Sequence, residues 1–395
     1  MQAIITGLKW LGLEWDDEIV MQSTRTKRHA EVVEQLLDTS HAYRCYLTND
    51  EIQKMRAKNP HIKIESPWRD QSNQPVKGVS PTIRLKINKE GSTTINDKIR
   101  GTVTVSHAEL DDMILLRSDG TPTYMFAVVV DDYDMKVTHI IRGDDHFTNS
   151  FRQNQIIQAL SWPLPQYAHI PLIHGQDGTK LSKRHGALGV EHYKKLGYLP
   201  EAICNYLLRL GWSHGDSEIL TKEEATKLFT LEKINNSPAR FNWEKLNFLN
   251  SHYINSISNN QLIDYLTFAN ETVRQRVTAA MPELKNRANT LVTLQELADL
   301  YETKHNPPDA RSKSILNEVD KELIAKIIDA LETINQWQSS EIKNIMVDLA
   351  KSCGIHKSQM MQIMRALVLG SFSAPGVYDT MDILGKDETI RRLTL

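Results

Sequence analysis

The sequence predicts an α/β domain followed by an all-helical one, on three observations. Met125 to Val130 and Val137 to Ile141 are apolar runs of strand length, a helical pattern follows from Thr148 to Leu160, and a further short run spans His169 to Ile173. Strands alternating with a helix point to a parallel sheet, and continuous apolar runs suit strands buried on both faces. Second, the first two runs end in Asp131-Asp132 and in Arg142-Gly143-Asp144-Asp145-His146, polar groups placed where open α/β sheets build their crevices. Third, from about His252 to Leu395 helical patterns succeed one another almost without interruption, and no repeat of fixed period runs through the chain.

In chain order, Met1 to about Asp38 reads as two helices. Ile4, Ile5, Leu8, Leu11 and Leu13 crowd the first, Glu14-Trp15-Asp16-Asp17 ends it, and Val32, Val33, Leu36 and Leu37 lie at helical spacing in the second. A short helix is expected around Asp50 to Ala57. Asn59 to Ser80, rich in Pro, Asn, Gln and charge, reads as loop. Thr82 to Ile87 and Thr102 to Val105 alternate like strands, with a turn around Gly91, so this stretch reads as a β-rich insertion. After Arg184 helices dominate. Pro200 suits the first position of a helix in which Ile203, Leu207 and Leu210 share a face. Two apolar stripes, Ile324, Ile327, Ile328 and Leu331, then Ile342, Ile345, Met346 and Leu349, mark amphipathic helices further on.

A chain of 395 residues leaves room for two or three domains. Hydrophobic residues make up 40% and charged residues 24%, the balance of an ordinary globular protein. A net charge of −2 and a pI near 6.7 do not advertise a nucleic-acid partner, so any RNA contact has to be local. No apolar stretch reaches the length of a membrane span, and the first residues lack a signal-peptide pattern. Cys45, Cys204 and Cys353 stand isolated, which argues against a disulfide framework and for a reducing cytoplasm.

Gly178-Thr179-Lys180-Leu181-Ser182-Lys183-Arg184 carries three cations in its last five residues, just after an apolar strand. Ammonium groups on a loop serve either as mobile point charges on a transferring phosphoryl group or as plain solvated surface. An arbitrary cluster of this kind is usually surface. Its place after a strand of an α/β sheet, with a central serine and an upstream glycine, favours phosphate.

This loop resembles the KMSKS signature of class I aminoacyl-tRNA synthetases, with Leu181 at the usual methionine and Arg184 at the final serine, variants that occur in the glutamyl branch. The resemblance to bacterial-type glutamyl-tRNA synthetases extends through most of the chain. It is carried by Gly7 to Asp16 (GLKWLGLEWD), Gln22-Ser23 with Arg25, Leu116 to Tyr124 (LRSDGTPTY), Val129 to Asp132, Ile141 to His146, Gly197 to Ala202 (GYLPEA), Leu210 to Ser213, and Pro375-Gly376. It is weakest from Met55 to Ser80 and in the helical tail.

The resemblance implies a partial Rossmann-type nucleotide-binding domain with an α/β insertion, ahead of a helical anticodon-binding domain. It divides the chain into a remnant of the Rossmann first half (1–40), a connective, acceptor-binding insertion (41–118), the Rossmann second half with the lysine loop (119–185), a stem-contact helical region (186–252) and the anticodon-binding domain (253–395). It implies a glutamate–tRNA ligase. The α-carboxylate of glutamate attacks the α-phosphate of ATP, giving glutamyl-adenylate and pyrophosphate, and the glutamyl group then passes to the 3′ end of a tRNA. Positioning and charge stabilisation carry such chemistry.

By the same resemblance Lys183 and Lys180 stabilise the pentavalent phosphate and the departing pyrophosphate, with Ser182 beside them. Arg142 forks onto the side-chain carboxylate of glutamate and Tyr124 adds a hydroxyl. Asp145 and His146 face the nucleotide, and Ile173 offers backbone contacts to adenine. Arg287 aligns with a position that reads an anticodon base, and Arg365 and Lys357 are candidates for tRNA backbone contacts. The bland readings of these residues stay open on chemistry alone: a surface ion pair for a lone arginine, a core position for an amphipathic tyrosine, solvation for a helix arginine. The implied partners are ATP with magnesium, L-glutamate, and a tRNA for glutamate, glutamine or both; the protein is expected to be a cytoplasmic monomer with no membrane contact.

Three departures qualify the resemblance. Such enzymes open with a strand, a glycine-bearing turn and a His-Ile-Gly-His type tetrapeptide that meets the ATP phosphates at a helix N-terminus. This sequence carries no such tetrapeptide, so it reads as N-terminally truncated, with a sheet edge and apolar surface uncovered. Cys45 is alone, with Leu47 where some relatives place a second zinc ligand, so no zinc is expected. Val128 stands where some relatives carry an asparagine near the substrate. The leading expectation is a glutamate–tRNA ligase that is incomplete or inactive as this chain alone; the alternative is a truncated, non-catalytic tRNA-binding paralogue.

Overall fold

The structure, a computed structural model, describes residues 2–58, 66–71, 78–181, 189–302, 307–372 and 374–394. The N-terminal part begins with α1 (Gln2–Trp10), a 3-10 turn at Gln22–Arg25, α2 (Thr26–Asp38), β1 (Ala42–Cys45) and α3 (Asn49–Lys58). Next come β2 (Thr82–Leu85), β3 (Ser92–Asp97), β4 (Gly101–Ser106) and β5 (Ile114–Leu116). The site-bearing stretch follows as α4 (Tyr124–Asp134), β6 (His139–Gly143), α5 (Phe147–Ala159), β7 (Gln166–Ile170) and β8 (Ile173–His174). Beyond it lie α6 (Val190–Lys195), α7 (Pro200–Arg209), α8 (Lys222–Leu228), β9 (Ala239–Arg240) and α9 (Trp243–Ser256), then helices from Asn259 to Leu393.

The largest sheet has the order β4-β3-β7-β6. β6 runs parallel to β7 in an unbroken register from His139 opposite Gln166 to Gly143 opposite Ile170. The β3–β4 hairpin, part of the stretch read from sequence as an insertion, joins this sheet where Asp97 pairs with Tyr167 in parallel. The sheet is therefore mixed. β6 is its outer strand, and Ile141 on it is 49% exposed. A second sheet, β1-β2-β5, is antiparallel, and the two-residue strands β8 and β9 pair in parallel.

Met125 to Val130, expected as a doubly buried strand, lies instead in the first part of helix α4. The helix buries Phe126, Ala127, Val129, Val130 and Asp131, so most of its circumference is apolar. A continuous apolar run satisfies a two-sided strand and an enveloped helix equally, and periodicity alone does not separate them. Tertiary anchors settle the matter. The Thr123 hydroxyl, just before the helix, donates to the Ile114 carbonyl at 2.8 Å. At the other end Asp131 accepts from Gln22 (2.8 Å), Arg25 (2.6 Å) and His29 (2.9 Å), while Asp134 takes Arg28 and Arg25. Carboxylates near a helix C-terminus oppose the macrodipole, and these cations offset that cost.

Two smaller expectations also change. The single strand read over His169 to Ile173 is split: β7 stops at Ile170, and the chain passes Pro171, which has no N–H for a ladder, into β8 of another sheet. In α7 Pro200 does occupy the first turn, but the buried face is Ala202, Ile203, Asn205 and Tyr206, and Leu207 is exposed. The two stripes in the tail behave as read. Ile327, Leu331, Ile342 and Met346 are fully buried in one helical core that also takes in Leu199 just before α7, Ala202 from α7 and Ile254 from α9. The helical tail is thus joined to the preceding region by shared apolar packing as well as by the continuous helix α9.

Candidate active site

The site is built at the C-terminal ends of β6 and β7. Their register places Arg142 beside His169. From Arg142, Nε donates to His169 Nε2 (3.1 Å), and Nη2 donates to Ser150 Oγ (2.7 Å), Gln153 Oε1 (2.8 Å) and the His146 carbonyl (3.2 Å). Ser150 and Gln153 lie one turn apart on α5 and both are buried, so the helix holds the guanidinium against the sheet. Nη1 has no partner among the described residues. His169 is wholly buried; its Nδ1 lies 2.6 Å from Asp97 Oδ2. Burial pushes the Asp97 carboxyl up, but hydrogen bonds from the Arg100 N–H, His169 and the Ile99 N–H outweigh it and hold the group below the usual range.

The loop after β6 turns through a 3-10 segment, Asp144–His146, into α5. Asp144 pairs with Arg100 from the β3–β4 turn at 2.7 Å, and Arg100 also lies over the Phe147 ring. Asp145 accepts from Lys180 Nζ at 2.8 Å, a bond that holds its carboxyl below the ordinary value. Gly143 leaves room for this. A Cβ there would come within 2.7 Å of Asp145 Oδ1. His146 lies beside Tyr124, with ring centroids 6.0 Å apart, and its Nδ1 meets Asn149 at 3.1 Å. Tyr124, the first residue of α4, is half exposed.

The lysine loop is presented by a tight hairpin. Asp177-Gly178 forms its tip, with Asp177 bonded to the Thr179 N–H and hydroxyl and Gly178 at φ +78°. The Gly175 N–H donates to the Thr179 carbonyl, and the Leu181 N–H to the Ile173 carbonyl, each at 2.9 Å. The hairpin thereby aims Lys180 at Asp145, while the carbonyl of Ile173 is engaged by the loop. Ser182 and Lys183 lie outside the described residues. The structure thus brings together Tyr124, Arg142, Asp145, His146 and Lys180 around one strand end. Sequence reasoning missed Asp97, Ser150, Gln153 and His169, which support Arg142. No local signal marks them, since Asp97 and His169 are 72 residues apart.

In the helical tail Arg287 ends the helix Glu271–Leu284 and its 3-10 extension, and pairs with Glu283 at 3.0 Å. Glu283 also accepts from the Gly376 N–H at 3.2 Å. Arg365 is half buried and donates to the carbonyls of Phe372 and Pro375, both at 3.1 Å. Burial lowers its pKa, and nearby Arg287 adds to the effect. Pro375-Gly376, Glu283, Arg287 and Arg365 therefore share one surface. Lys357 is exposed at the start of the helix Lys357–Leu369. Cys45 is buried with the Ser66 hydroxyl 3.3 Å from its sulfur. Among the described residues there is no cluster of three or more side chains fit to hold a metal, and no helix long and apolar enough to cross a membrane.

A guanidinium braced at the end of β6 and a loop lysine paired to a carboxylate beside it thus lie together at one end of an α/β sheet. Residues 1–248 match the family described as tRNA synthetases class I (E and Q), catalytic domain, and residues 259–395 match the anticodon binding domain. The chain belongs to the class I aminoacyl-tRNA synthetases, in the glutamate–tRNA ligase family. It is 46% identical over 407 residues to glutamate–tRNA ligase 2 of Rhodospirillum rubrum, covering 99% of this chain and 87% of that protein. Over 409 residues it is 46% identical to glutamate–tRNA ligase 2 of Zymomonas mobilis, covering 100% of this chain and 85% of that one. The crystal structure of a glutamate tRNA ligase from Elizabethkingia meningosepticum, in complex with its amino acid, superposes with a TM-score of 0.80 at 27% identity, covering 99% of this chain and 88% of that one.

Proposed function

We propose that this chain activates L-glutamate with ATP and passes the glutamyl group to the 3′ end of a tRNA, with Arg142 and Tyr124 holding the amino acid and Lys180, Ser182 and Lys183 serving the phosphates. The observation that carries this reading is Arg142 at the end of β6, bonded inward through Nε and Nη2, with no partner for Nη1 among the described residues, and three residues before Asp145, which pairs with Lys180. A planar guanidinium matches a carboxylate, and a mobile ammonium matches a transferring phosphate. An oxygen of the α-carboxylate bonds to the α-phosphorus, the bond to the bridging oxygen breaks, and pyrophosphate leaves as Lys183 and Lys180 neutralise its charge.

Asp145 and His146 border the nucleotide, with Asp145 holding Lys180 in the resting state, and the backbone of Ile173 lies against adenine. Magnesium arrives with ATP. Residues 1–40 and 119–185 form the nucleotide-binding part, 41–118 meets the acceptor end, 186–252 the stem, and 253–395 the anticodon, with Arg287 on a base and Arg365 and Lys357 on the backbone. The acceptor is the tRNA for glutamate, for glutamine or both, and the protein works as a cytoplasmic monomer. Glutamate-dependent exchange of labelled pyrophosphate into ATP, measured on the 395-residue chain, tests the reading. Exchange that is lost in Lys183→Ala supports it. tRNA binding without exchange supports a non-catalytic tRNA binder instead.

A further inference from the structure

Arg142 is held from behind by a buried chain of groups, and the chemistry of that chain permits one arrangement of protons. Asp97 Oδ1 accepts the backbone N–H groups of Ile99 and Arg100, both at 2.9 Å, and Oδ2 accepts the backbone N–H of His169 at 3.1 Å. An ionised carboxylate surrounded by donors accepts only, so the 2.6 Å contact to His169 requires a proton on Nδ1. On the other side of the ring, a guanidinium has donors only, so the contact from Arg142 Nε requires a bare lone pair on Nε2. The two ends select the same neutral tautomer. Burial lowers the imidazole pKa, Asp97 opposes this, and Arg142 and Arg100 reinforce it, in keeping with a neutral ring. Phe147 meets the ring edge-on at 5.0 Å and Tyr167 stacks at 6.0 Å, which fixes its plane.

We propose that Asp97 and His169 are positioning residues for glutamate: Asp97 fixes the His169 tautomer, His169 fixes Arg142 Nε, and Nη1 is thereby turned toward the substrate carboxylate. This rests on the reading of Arg142 as the glutamate ligand. Asp97 reaches the site from the β3–β4 hairpin, so the stretch read as an insertion takes part in amino-acid recognition.

The test compares His169→Phe, His169→Gln, Asp97→Asn and Arg142→Gln in the full chain. Phe keeps the ring packing and removes the acceptor. Gln returns an acceptor to the place of Nε2. Asn at 97 turns its NH2 toward His169, because Oδ1 holds the two shorter backbone bonds and Oδ2 only the longer one from the His169 N–H, and this drives the ring proton to Nε2 against the N–H of Arg142. His169→Phe and Asp97→Asn are expected to raise the KM for glutamate roughly 10- to 150-fold, the range of a hydrogen bond to a charged group, with the KM for ATP moved by less than about threefold. His169→Gln is expected to stay within about threefold of the parent in both. Nitrogen-15 NMR of the parent chain should show His169 as the neutral Nδ1–H tautomer, switched to Nε2–H in Asp97→Asn. A folded His169→Phe with unchanged glutamate KM, or an Nε2–H tautomer in the parent, overturns the proposal. An unchanged glutamate KM in Arg142→Gln instead overturns Arg142 as the ligand, and the NMR result then judges the buried pair by itself.

Discussion

Replacing Asp145 with asparagine decides whether its pair with Lys180 is a resting latch or a part of the chemistry. The two side chains are 39% and 55% exposed and 2.8 Å apart. An ion pair that open to water contributes about 0.2–1 kcal/mol, a factor of at most about five. If Lys180 leaves Asp145 to meet the phosphates, Asp145→Asn releases it in advance. The KM for ATP should then fall by up to about fivefold with kcat unchanged. Lys180→Ala removes a charge-assisted contact of about 1.5–3 kcal/mol, so kcat/KM should drop roughly 10- to 150-fold. The double variant should match Lys180→Ala within about fivefold, because the latch has no purpose without the lysine. Pyrophosphate exchange at varied ATP measures all three. A loss above tenfold in Asp145→Asn that persists in the Lys180→Ala background refutes the latch, since it exceeds what an exposed pair contributes and makes contact with the nucleotide the main role of Asp145.

Three further outcomes follow from the packing. Gly197 sits at φ +81°, and a Cβ there would lie 2.5 Å from the Val292 nitrogen, so Gly197→Ala should cost about 2–6 kcal/mol in urea unfolding. Gly215→Ala, at φ +53° with nothing within 4 Å, should cost only about 1–2 kcal/mol. Arg392, 4% exposed, binds Glu388 and the carbonyls of Leu300, Val368 and Glu302; Arg392→Met should cost about 3–5 kcal/mol and the exposed Arg391→Met less than about 1. Asp134 is held below the usual carboxylate range by Arg28, and in Asp131 bonds from Gln22, His29 and Arg25 outweigh burial. With folded values below the unfolded one, their stabilisation is present above about pH 4 and lost as pH falls through the folded values. Urea midpoints measured from pH 7 down to 3 should fall, and the fall should flatten in Asp131→Asn.

What was legible in the sequence was local. The lysine loop and the RGDDH segment each gather their charged groups within a few adjacent residues. Chain order alone therefore put forward the cations proposed for the phosphates and for the substrate carboxylate. Amphipathic stripes such as Ile324 to Leu331 were equally legible, because a helix buried on one face prints its period on the chain. α4 was misread as a strand because Met125 to Val130 is apolar at every position, and an unbroken apolar run shows no helical period.

The sequence by itself determined the class of protein, the split between a sheet-bearing part and a helical tail, and most of the residues proposed to touch substrate. Only the tertiary structure decided what holds them. It joined Asp97 to His169 across the sheet, tied Asp131 and Asp134 to cations before and within α2, and packed Gly197 against the backbone at Leu291. Those contacts pair residues tens to more than a hundred positions apart. Their strength comes from burial and from the fixed direction of donors and acceptors, and neither exists until the chain has folded.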